Sequence, residues 1–239
     1  MSDRTGDKDI ALVVGAGTGL GSALVRCFAN AGMNVAAALR APDKLSALIG
    51  ELSGRARSYA CDATDEAAVR GLFESLAADL GPPTLVVYNA SAFLKKSFLE
   101  TTPEELERCW RVGCLGGFLV GQAAARIMAP KGAGTILFTG ATASLRGGAG
   151  FLNMAVPKFG LRALAQSMAR EFGSQGIHVA HVIIDGQIMS DARAELARER
   201  PPDGLLDPGA IAQNYLDLHR QHRSAWTQEL DLRPWVEKF

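Results

Sequence analysis

The chain has 239 residues, of which 48% are hydrophobic and 21% are charged, a composition that indicates a folded protein and excludes a disordered one. Its 25 basic and 25 acidic residues cancel, so no net charge attracts the protein to nucleic acid or to an anionic membrane. The length predicts a single domain, 1–239. The polar start resembles no export signal and the uncharged stretches are shorter than a membrane span, so we expect a cytoplasmic protein.

Short runs rich in Val, Ile and Leu alternate along the chain with longer segments of helical periodicity. We predict seven strands, at 10–15, 33–39, 57–61, 84–89, 135–139, 177–184 and 228–232. We predict six helices, near 19–30, 42–51, 64–79, 102–129, 151–173 and 208–220. Several strands are apolar at consecutive positions, as strands buried on both faces require. The alternation predicts repeated βαβ units and a parallel sheet.

A glycine-rich loop joins the first predicted strand to the first predicted helix. It runs Gly15-Ala-Gly17-Thr18-Gly19-Leu20-Gly21, with the spacing Gly-x-x-x-Gly-x-Gly. Small residues there allow backbone N–H groups and a helix N-terminus to approach a pyrophosphate. The loop predicts a dinucleotide site, with a merely tight turn as the alternative. The fold class is therefore predicted as α/β: a single Rossmann-like, doubly wound parallel β-sheet with helices on both faces.

The end of the second predicted strand bears on the choice of cofactor. An NAD-binding chain usually places an acid about twenty residues beyond the glycine loop, on the ribose 2′-hydroxyl. Here that position is Arg40, which can pair with a 2′-phosphate. We expect NADP(H) to be preferred, with NAD(H) as the alternative because Asp43 is close. An ordinary solvated arginine is the other interpretation of Arg40.

The glycine spacing resembles that of the short-chain dehydrogenase/reductase family, and the resemblance continues along the chain. Cys61-Asp62-Ala-Thr resembles the segment whose aspartate meets the adenine ring, although Asp62 could instead cap the next helix. Tyr88-Asn89-Ala90-Ser91 resembles the family's Asn-Ala-Gly loop beside the cofactor, with Ser91 in place of glycine. The resemblance implies cofactor contacts at Asp62, Asn89 and Ala90.

The resemblance also places the family's catalytic tetrad, in which a Tyr-x-x-x-Lys pair works with a serine and an asparagine. Lys158 aligns with the lysine, which puts the tyrosine position at Met154 and the serine position, thirteen residues earlier, at Ala141. Gly113 stands at the asparagine position on the preceding long helix. Only Lys158 is retained, and the resemblance gives it a second role, a hydrogen bond to the nicotinamide ribose.

The missing hydroxyls bear directly on activity, because Met154 and Ala141 cannot donate a hydrogen bond to an oxygen that gains charge. Loss of a general acid alone costs about a hundred- to ten-thousand-fold in rate. We expect an NADP(H)-binding, oxidoreductase-like protein with altered or weak carbonyl/alcohol redox activity. The alternative is a catalytically silent dinucleotide-binding sensor or scaffold, and a non-redox lyase or isomerase has no positive support.

No other residue is well placed to replace the tyrosine. Tyr88 is adjacent to Asn89 on a strand, so its side chain is predicted to point away from the cofactor. Asp185 follows the penultimate strand and is a candidate acid. Thr139 lies two residues before Ala141 and could share its side of the strand, but it is not placed well enough to be assigned the role. The other polar residues are differently directed or expected to serve in packing: Thr142, Ser144, Asn153, His178 and His181.

The expected substrate pocket is largely apolar, so we expect an apolar small-molecule substrate, if there is one. Its predicted residues are Phe93, Leu94, Leu145, Met154, Ile188 and Met189, with Ile188 also beside the cofactor. The segment 186–209, which carries mixed charge and two consecutive prolines, is predicted as a mobile substrate lid because it follows the carboxyl end of a strand.

Two further expectations concern metals and self-association. Cys27, Cys61, Cys109 and Cys114 have neither Cys-x-x-Cys spacing nor paired histidines, so we expect buried free thiols and no metal. The family resemblance implies a homodimer or homotetramer that pairs the helices at 102–129 and 151–173. Small residues on the first of them would permit close contact between subunits: Gly116, Gly117, Ala123 and Ala124.

Overall fold

The computed structural model describes residues 9–237. In that range seven strands form one parallel sheet in the order β3-β2-β1-β4-β5-β6-β7. Each lies within one residue of its predicted bounds: β1 (Ile10–Val14), β2 (Asn34–Leu39), β3 (Ala56–Ala60), β4 (Leu85–Tyr88), β5 (Gly134–Thr139), β6 (Ile177–Ile184) and β7 (Glu229–Leu232). The predicted fold class is confirmed. The strand order changes direction between β1 and β4, where open α/β sheets bind ligands.

Eight α-helices connect the strands of the described chain: α1 (Leu20–Asn30), α2 (Ser46–Glu51), α3 (Glu66–Asp79), α4 (Pro103–Trp110), α5 (Gly116–Met128), α6 (Leu152–Phe172), α7 (Ala194–Glu199) and α8 (Pro208–Arg220). A 3₁₀ turn, Pro42–Leu45, precedes α2 within the predicted helix 42–51. Helix α7 lies inside the predicted lid and was not predicted, because its six residues are too few to show a periodicity.

Two apolar cores lie on opposite faces of the sheet. One buries Phe28 of α1 and Tyr215 of α8, and the other buries Phe73 of α3, Val120 of α5 and Leu161 of α6. Alternate strand residues contribute to the two cores; in β1, for example, positions 11 and 13 face one core and positions 10, 12 and 14 the other. This double burial explains why the strands are apolar at consecutive positions.

The predicted helix 102–129 is divided into three parts. Thr102 caps α4 in a capping box with Glu105, and a π-helical turn, Arg111–Leu115, separates α4 from α5. The hydroxyl of Tyr88 donates a hydrogen bond of 2.5 Å to the carbonyl of Val112 in this turn. A side chain that inserts into the backbone ladder is a recognised cause of such an irregularity, and no sequence period indicates it.

The same helical stretch is the only candidate membrane span among the described residues. Pro103–Lys131 is long and apolar enough, by length and composition alone, to cross a membrane. Half of its most apolar window is buried in the protein. Val120, Ala124 and Met128 lie in the core beneath it. A buried core helix passes the same test, so length and composition give no argument for a membrane.

The four thiols are free, but only Cys61 and Cys109 are buried. Cys27 and Cys114 are partly exposed, so the expectation of four buried thiols is wrong for these two. Within residues 9–237 no group of three or more His, Cys, Asp or Glu side chains is arranged to hold a metal ion.

Candidate active site

The glycine loop lies at the carboxyl end of β1 and leads into α1. Gly15 has a φ of +86°, and a Cβ there would lie 2.4 Å from the backbone nitrogen of Ala90. A Cβ on Gly21 would lie 2.6 Å from the Cα of Ala16. By contrast, Gly17 and Gly19 have open space where a Cβ would point. Two glycines therefore permit close backbone packing, whereas the other two leave the loop surface open to a ligand.

Asn89 joins this loop to the neighbouring strand. Its Nδ2 donates a hydrogen bond of 3.0 Å to the carbonyl oxygen of Gly15, and its backbone nitrogen donates to Val14. The side chain therefore fixes the loop relative to the end of β4. Asn89 and Ser91 also line both of the cavities described below, so the predicted Asn-Ala-Ser segment lies between them.

A first cavity, of about 620 Å³, lies between the glycine loop and the ends of β2 and β3. We call it the β2-side cavity. Of the predicted cofactor residues, it is lined by Gly15, Gly17, Arg40, Asp62, Asn89 and Ala90. Thr18 and Gly19 are exposed on the loop and line neither cavity, and Gly21 packs against the loop from inside.

Two cations belong to the β2-side cavity, Arg40 and Lys44. Lys44 lies on the 3₁₀ turn after β2 and was not identified from the sequence, although a second basic residue four positions after Arg40 was a usable signal. Asp43, which complicated the cofactor prediction, does not line this cavity. The cavity therefore offers two positive charges at the strand end where an NAD-binding fold usually places an acid.

Asp62 lines the same cavity without capping a helix. Its Oδ1 accepts hydrogen bonds from the backbone nitrogen and the hydroxyl of Thr64, at 2.9 and 2.8 Å, and these bonds lower the pKa of the carboxyl. The N-cap of α3 is Asp65, whose side chain accepts from two backbone N–H groups. The alternative interpretation of Asp62 as the helix cap is therefore wrong, and its carboxylate remains at the cavity wall.

A second cavity, of about 880 Å³, lies beyond the ends of β5 and β6, and we call it the β5-side cavity. Lys158, Met154 and Ala141 all line it, together with Leu20 and Ile188. The three positions assigned from the family pattern are thus brought to one cavity wall. Of the predicted pocket residues, Phe93, Met154 and Ile188 line it, whereas the others do not: Leu94, Leu145 and Met189.

Lys158 is buried at the floor of this cavity, with only 2% of its surface exposed. Its Nζ donates a hydrogen bond of 2.6 Å to the carbonyl oxygen of Thr139, the last residue of β5. Burial lowers the pKa of the amine from 10.5 to about 8. At neutral pH the amine therefore stays mostly protonated, although burial has weakened its hold on the proton.

The tyrosine and serine positions form a small apolar cluster. Met154 packs against Ala141, Ala143 and Ala155. The two positions that the sequence analysis assigned to the family's tyrosine and serine thus carry a thioether and a methyl group in one apolar cluster. Neither group donates a hydrogen bond, so this part of the wall is apolar.

Gly113, at the asparagine position, is closed to a side chain. A Cβ there would lie 2.6 Å from the Cβ of Pro157 on α6. Pro157 therefore leaves no room for a side chain at residue 113, the position that the sequence analysis assigned to the asparagine. The glycine and the proline are complementary, and this contact between the π-helical turn and α6 was not visible in the sequence.

Most nearby polar side chains are engaged elsewhere. Tyr88 is fully buried and bonds to the α4–α5 segment, as its predicted orientation required. The Thr139 hydroxyl bonds to Tyr215 at 2.8 Å, and Asn153 donates to Thr101 at 3.2 Å. The buried hydroxyl of Ser144 accepts from the backbone nitrogen of residue 141 at 3.1 Å. None of these groups faces the β5-side cavity with a free proton donor.

Thr142 carries a hydroxyl at this wall, but the hydroxyl proton is already used within the protein. It lines the cavity, and its hydroxyl donates a hydrogen bond of 2.5 Å to Asp185, whose carboxylate lies 3.5 Å from Arg233. Asp185 itself is 3% exposed and does not line the cavity. The carboxylate of Asp185, the candidate acid, therefore binds Thr142 and Arg233 and does not face the cavity.

The two histidines of β6 are packed in the fold. His178 stacks on Trp226, with ring centroids 5.0 Å apart, and bonds to the carbonyl of Thr227. Burial and the charge of Lys158 lower the pKa of His181 to about 4, so its ring is neutral at physiological pH. Neither side chain lines the β5-side cavity.

The segment 186–209 covers one side of the β5-side cavity. Ile188 forms a parallel bridge with Leu206, and the segment is tied to the C-terminal region by an indole hydrogen bond from Trp235 to Pro202 and an ion pair between Arg200 and Glu237 at 3.5 Å. Its mobility stays a prediction.

Comparison with known proteins identifies the family. The model of the short chain dehydrogenases matches residues 9–201. The chain belongs to the short-chain dehydrogenase family. Its members are oxidoreductases that bind NAD(P), act on small molecules and are generally oligomeric. The predicted family is therefore confirmed.

Individual relatives agree with this assignment. The chain is 34% identical over 174 residues to (21S)-21-acetoxyl-apo-melianone synthase of Melia azedarach, covering 71% of this chain but only 64% of that relative's length. It is 31% identical to (+)-borneol dehydrogenase 1 of Salvia officinalis, covering 80% of this chain and 75% of that one. The crystal structure of a short-chain dehydrogenase from Rhodopseudomonas palustris is 38% identical, with a TM-score of 0.82 over 95% of this chain and 99% of that chain.

Proposed function

We propose that this short-chain dehydrogenase binds NADP(H) across the β2-side and β5-side cavities and has altered or weak carbonyl/alcohol redox activity. The observation that carries the proposal is the wall around Lys158, where the buried amine is kept but Met154 and Ala141 replace the two hydroxyls. The binding half of the family's site is present. The half that moves a proton is missing.

The residues present fit a dinucleotide. Gly17 and Gly19 leave open the loop surface that a pyrophosphate would approach, and Gly15 and Gly21 hold the loop against its neighbours. Arg40 at the β2-side cavity is a positive partner for a 2′-phosphate, and Lys44 adds a second charge. These cations are the reason to propose NADP(H) rather than NAD(H).

The bound nicotinamide would supply or accept the hydride, and the chain's own residues set what else happens. Lys158 would hold the nicotinamide ribose through its Nζ, a task that needs no tyrosine. Met154, Ala141 and Ile188 would exclude water from the reacting carbonyl but would give its oxygen no proton. Without a general acid, turnover should be lower by about a hundred- to ten-thousand-fold than with one.

A second candidate function is a catalytically silent dinucleotide-binding sensor or scaffold. It is favoured by the closure of Gly113 against Pro157, which removes room for the family's asparagine as well. The two candidates share cofactor binding and differ in turnover. Slow NADPH consumption with apolar ketones would favour the oxidoreductase, whereas binding without any consumption would favour the sensor or scaffold.

The proposed self-association is a homodimer or homotetramer through the helices α4–α6. Gly116 and Gly117 do not face a neighbouring subunit, because a Cβ on either would meet Tyr88 or Leu161 inside the protein. Ala124 is likewise buried in the core. The expected role in subunit contact is therefore wrong for Gly116, Gly117 and Ala124, whereas Ala123 is partly exposed and its role stays a prediction. The exposed apolar side chains on these helices are larger: Trp110, Phe118, Val156 and Phe159.

The test is a calorimetric titration of the purified protein with NADPH and with NADH. We expect NADPH to bind at least about ten-fold more tightly, since a hydrogen bond to a charged group contributes about 1.5–3 kcal/mol. Arg40→Gln and Lys44→Gln should each weaken NADPH binding and leave NADH binding unchanged. Lys131→Gln, which removes an exposed charge just before the amino end of β5, away from the carboxyl ends of the strands where the cavities lie, is the matched control.

Each outcome of this titration decides a separate part of the proposal. Equal affinity for the two cofactors would remove the NADP(H) preference but keep dinucleotide binding. Failure to bind either cofactor, in protein shown to be folded by circular dichroism, would refute the proposed function as a whole.

A further inference from the structure

The mouth of the β5-side cavity carries an excess of positive charge. Besides Lys158 at the floor, its charged lining residues in the described chain are Lys95, Arg146, Arg193 and Glu237. Lys95 follows β4 in the chain and Arg146 follows β5, so the two cations come from neighbouring loops. Three cations therefore oppose one acid around an opening whose walls are apolar.

These charges are not neutralised by the protein itself. The guanidinium of Arg146 makes no hydrogen bond or ion pair with any residue of 9–237, and the Nζ of Lys95 has only the ring of Phe151, 5.3 Å from its centroid. Glu237, the single acid, is already paired with Arg200. Two cations at the mouth thus lack an anionic partner, which favours an anion in their place.

The cations are also separate from the surfaces that would bind the cofactor's phosphates. Neither Lys95 nor Arg146 lines the β2-side cavity, where the glycine loop and Arg40 lie. Both line the β5-side cavity, as Phe93 and Phe151 do, and the Nζ of Lys95 lies 5.3 Å from the centroid of the Phe151 ring. Their charge therefore faces the space left for a second ligand beside the cofactor.

We propose that the β5-side cavity binds an apolar compound that carries one oxyanion group, a carboxylate or a phosphate monoester. Arg146 and Lys95 hold the oxyanion at the mouth, and Phe93, Phe151 and Met154 surround the apolar part. This deepens the proposed function by naming a substrate class for its site, and it changes the expectation of a purely apolar substrate. Arginine and lysine pair well with both oxyanions, so the geometry leaves the choice between the two to experiment.

The test compares three ligands of equal chain length, decanoate, decyl phosphate and decanol, by calorimetry with NADPH-saturated protein. We expect at least one anion to bind about ten-fold or more tightly than decanol at low salt, and that advantage to shrink as salt rises. The double variant Lys95→Gln/Arg146→Gln should lose about ten-fold in affinity for that anion and nothing for decanol. The tighter of the two anions identifies the oxyanion.

Two controls make the result specific. Lys131→Gln lowers the net charge by one near the amino end of β5, away from the cavity, and should leave the selectivity unchanged. Arg146→Lys in the otherwise unchanged chain should keep most of the anion affinity, because the positive charge remains. Lys95 and Arg146 are both exposed, so thermal melting should show that the double variant is folded.

Equal affinities for decanol and both anions would overturn the proposal. So would unchanged selectivity in the double variant, or a loss of its NADPH affinity, because the cations would then serve the cofactor. If the protein binds no NADPH at all, the proposed function fails, but the same comparison in cofactor-free protein still decides whether the cavity prefers an oxyanion.

Discussion

Restoring the two missing hydroxyls should convert the site into a competent carbonyl reductase. The perturbation is Ala141→Ser combined with Met154→Tyr, at positions that belong to one apolar cluster on the wall of the β5-side cavity. Lys158 lies four residues after Met154, on the same face of α6, and carries its charge at neutral pH. That charge would lower the pKa of a phenol at position 154 and so improve it as a proton donor.

The size of the gain follows from what each hydroxyl contributes. A positioned general acid contributes about a hundred- to ten-thousand-fold, and one further donor to the developing oxyanion about a hundred- to a thousand-fold. Gly113 stays as it is because Pro157 excludes the asparagine, so the lower ends are appropriate. Met154→Tyr alone should then raise kcat/KM by about a hundred-fold and the pair by about ten-thousand-fold, the latter a barrier lower by about 5 kcal/mol.

The assay follows the loss of NADPH absorbance with a panel of apolar ketones. Met154→Phe is the matched control, since it fills the same volume without a hydroxyl and should leave the rate at the wild-type level. If the double variant folds and binds NADPH like the wild type but gains no activity, then the assignment of the tyrosine and serine positions, or the cavity as the reaction site, is wrong.

Three further predictions concern the loop, the helix contact and the buried amine. Gly15→Ala should lower the free energy of unfolding, measured in urea, by about 2–5 kcal/mol, because the new Cβ would overlap the backbone of Ala90 and the positive φ would be strained. Gly17→Ala, which has open space, should leave this free energy unchanged and weaken NADPH binding. Gly113→Ala should destabilise by about 1–3 kcal/mol, and in a double-mutant cycle Pro157→Ala should recover little of this loss, because alanine keeps the Cβ that lies 2.6 Å from the added one. Burial lowers the pKa of Lys158 from 10.5 to about 8, so the unfolded chain binds more protons between these values, and stability should rise by about 3 kcal/mol from pH 8 to pH 10.5. Urea denaturation should show this rise reduced in Lys158→Met; an equal rise in both proteins would contradict it.

The fold could be predicted from the sequence because its signals are local. Strands buried on both faces must be apolar at consecutive positions, and each of the seven could be placed within one residue. The division of the helix after Thr102 could not, since it depends on the hydroxyl of Tyr88 reaching a carbonyl 24 residues away. Helix α7 was missed for a different reason, its six-residue length.

The candidate site could be predicted where a motif fixes spacing along the chain. The positions of Lys158, Met154 and Ala141 at one cavity wall follow from counted intervals. Arg146 reaches the β5-side cavity from a loop and carries no such interval, so it was not identified in advance, whereas Lys44 was missed although it lies four positions after Arg40. The contact of Gly113 with Pro157 likewise joins two helices and could be found only from their packing.

Thr139 forms hydrogen bonds to helices on both faces of the sheet. Its carbonyl oxygen holds Lys158 of α6 on one face, and its hydroxyl holds Tyr215 of α8 on the other. Helix α8 in turn packs against α1, which begins at the glycine loop. Thr139, at the end of β5, therefore connects Lys158 on one face of the sheet with α8 on the other, and α8 contacts the helix that follows the glycine loop.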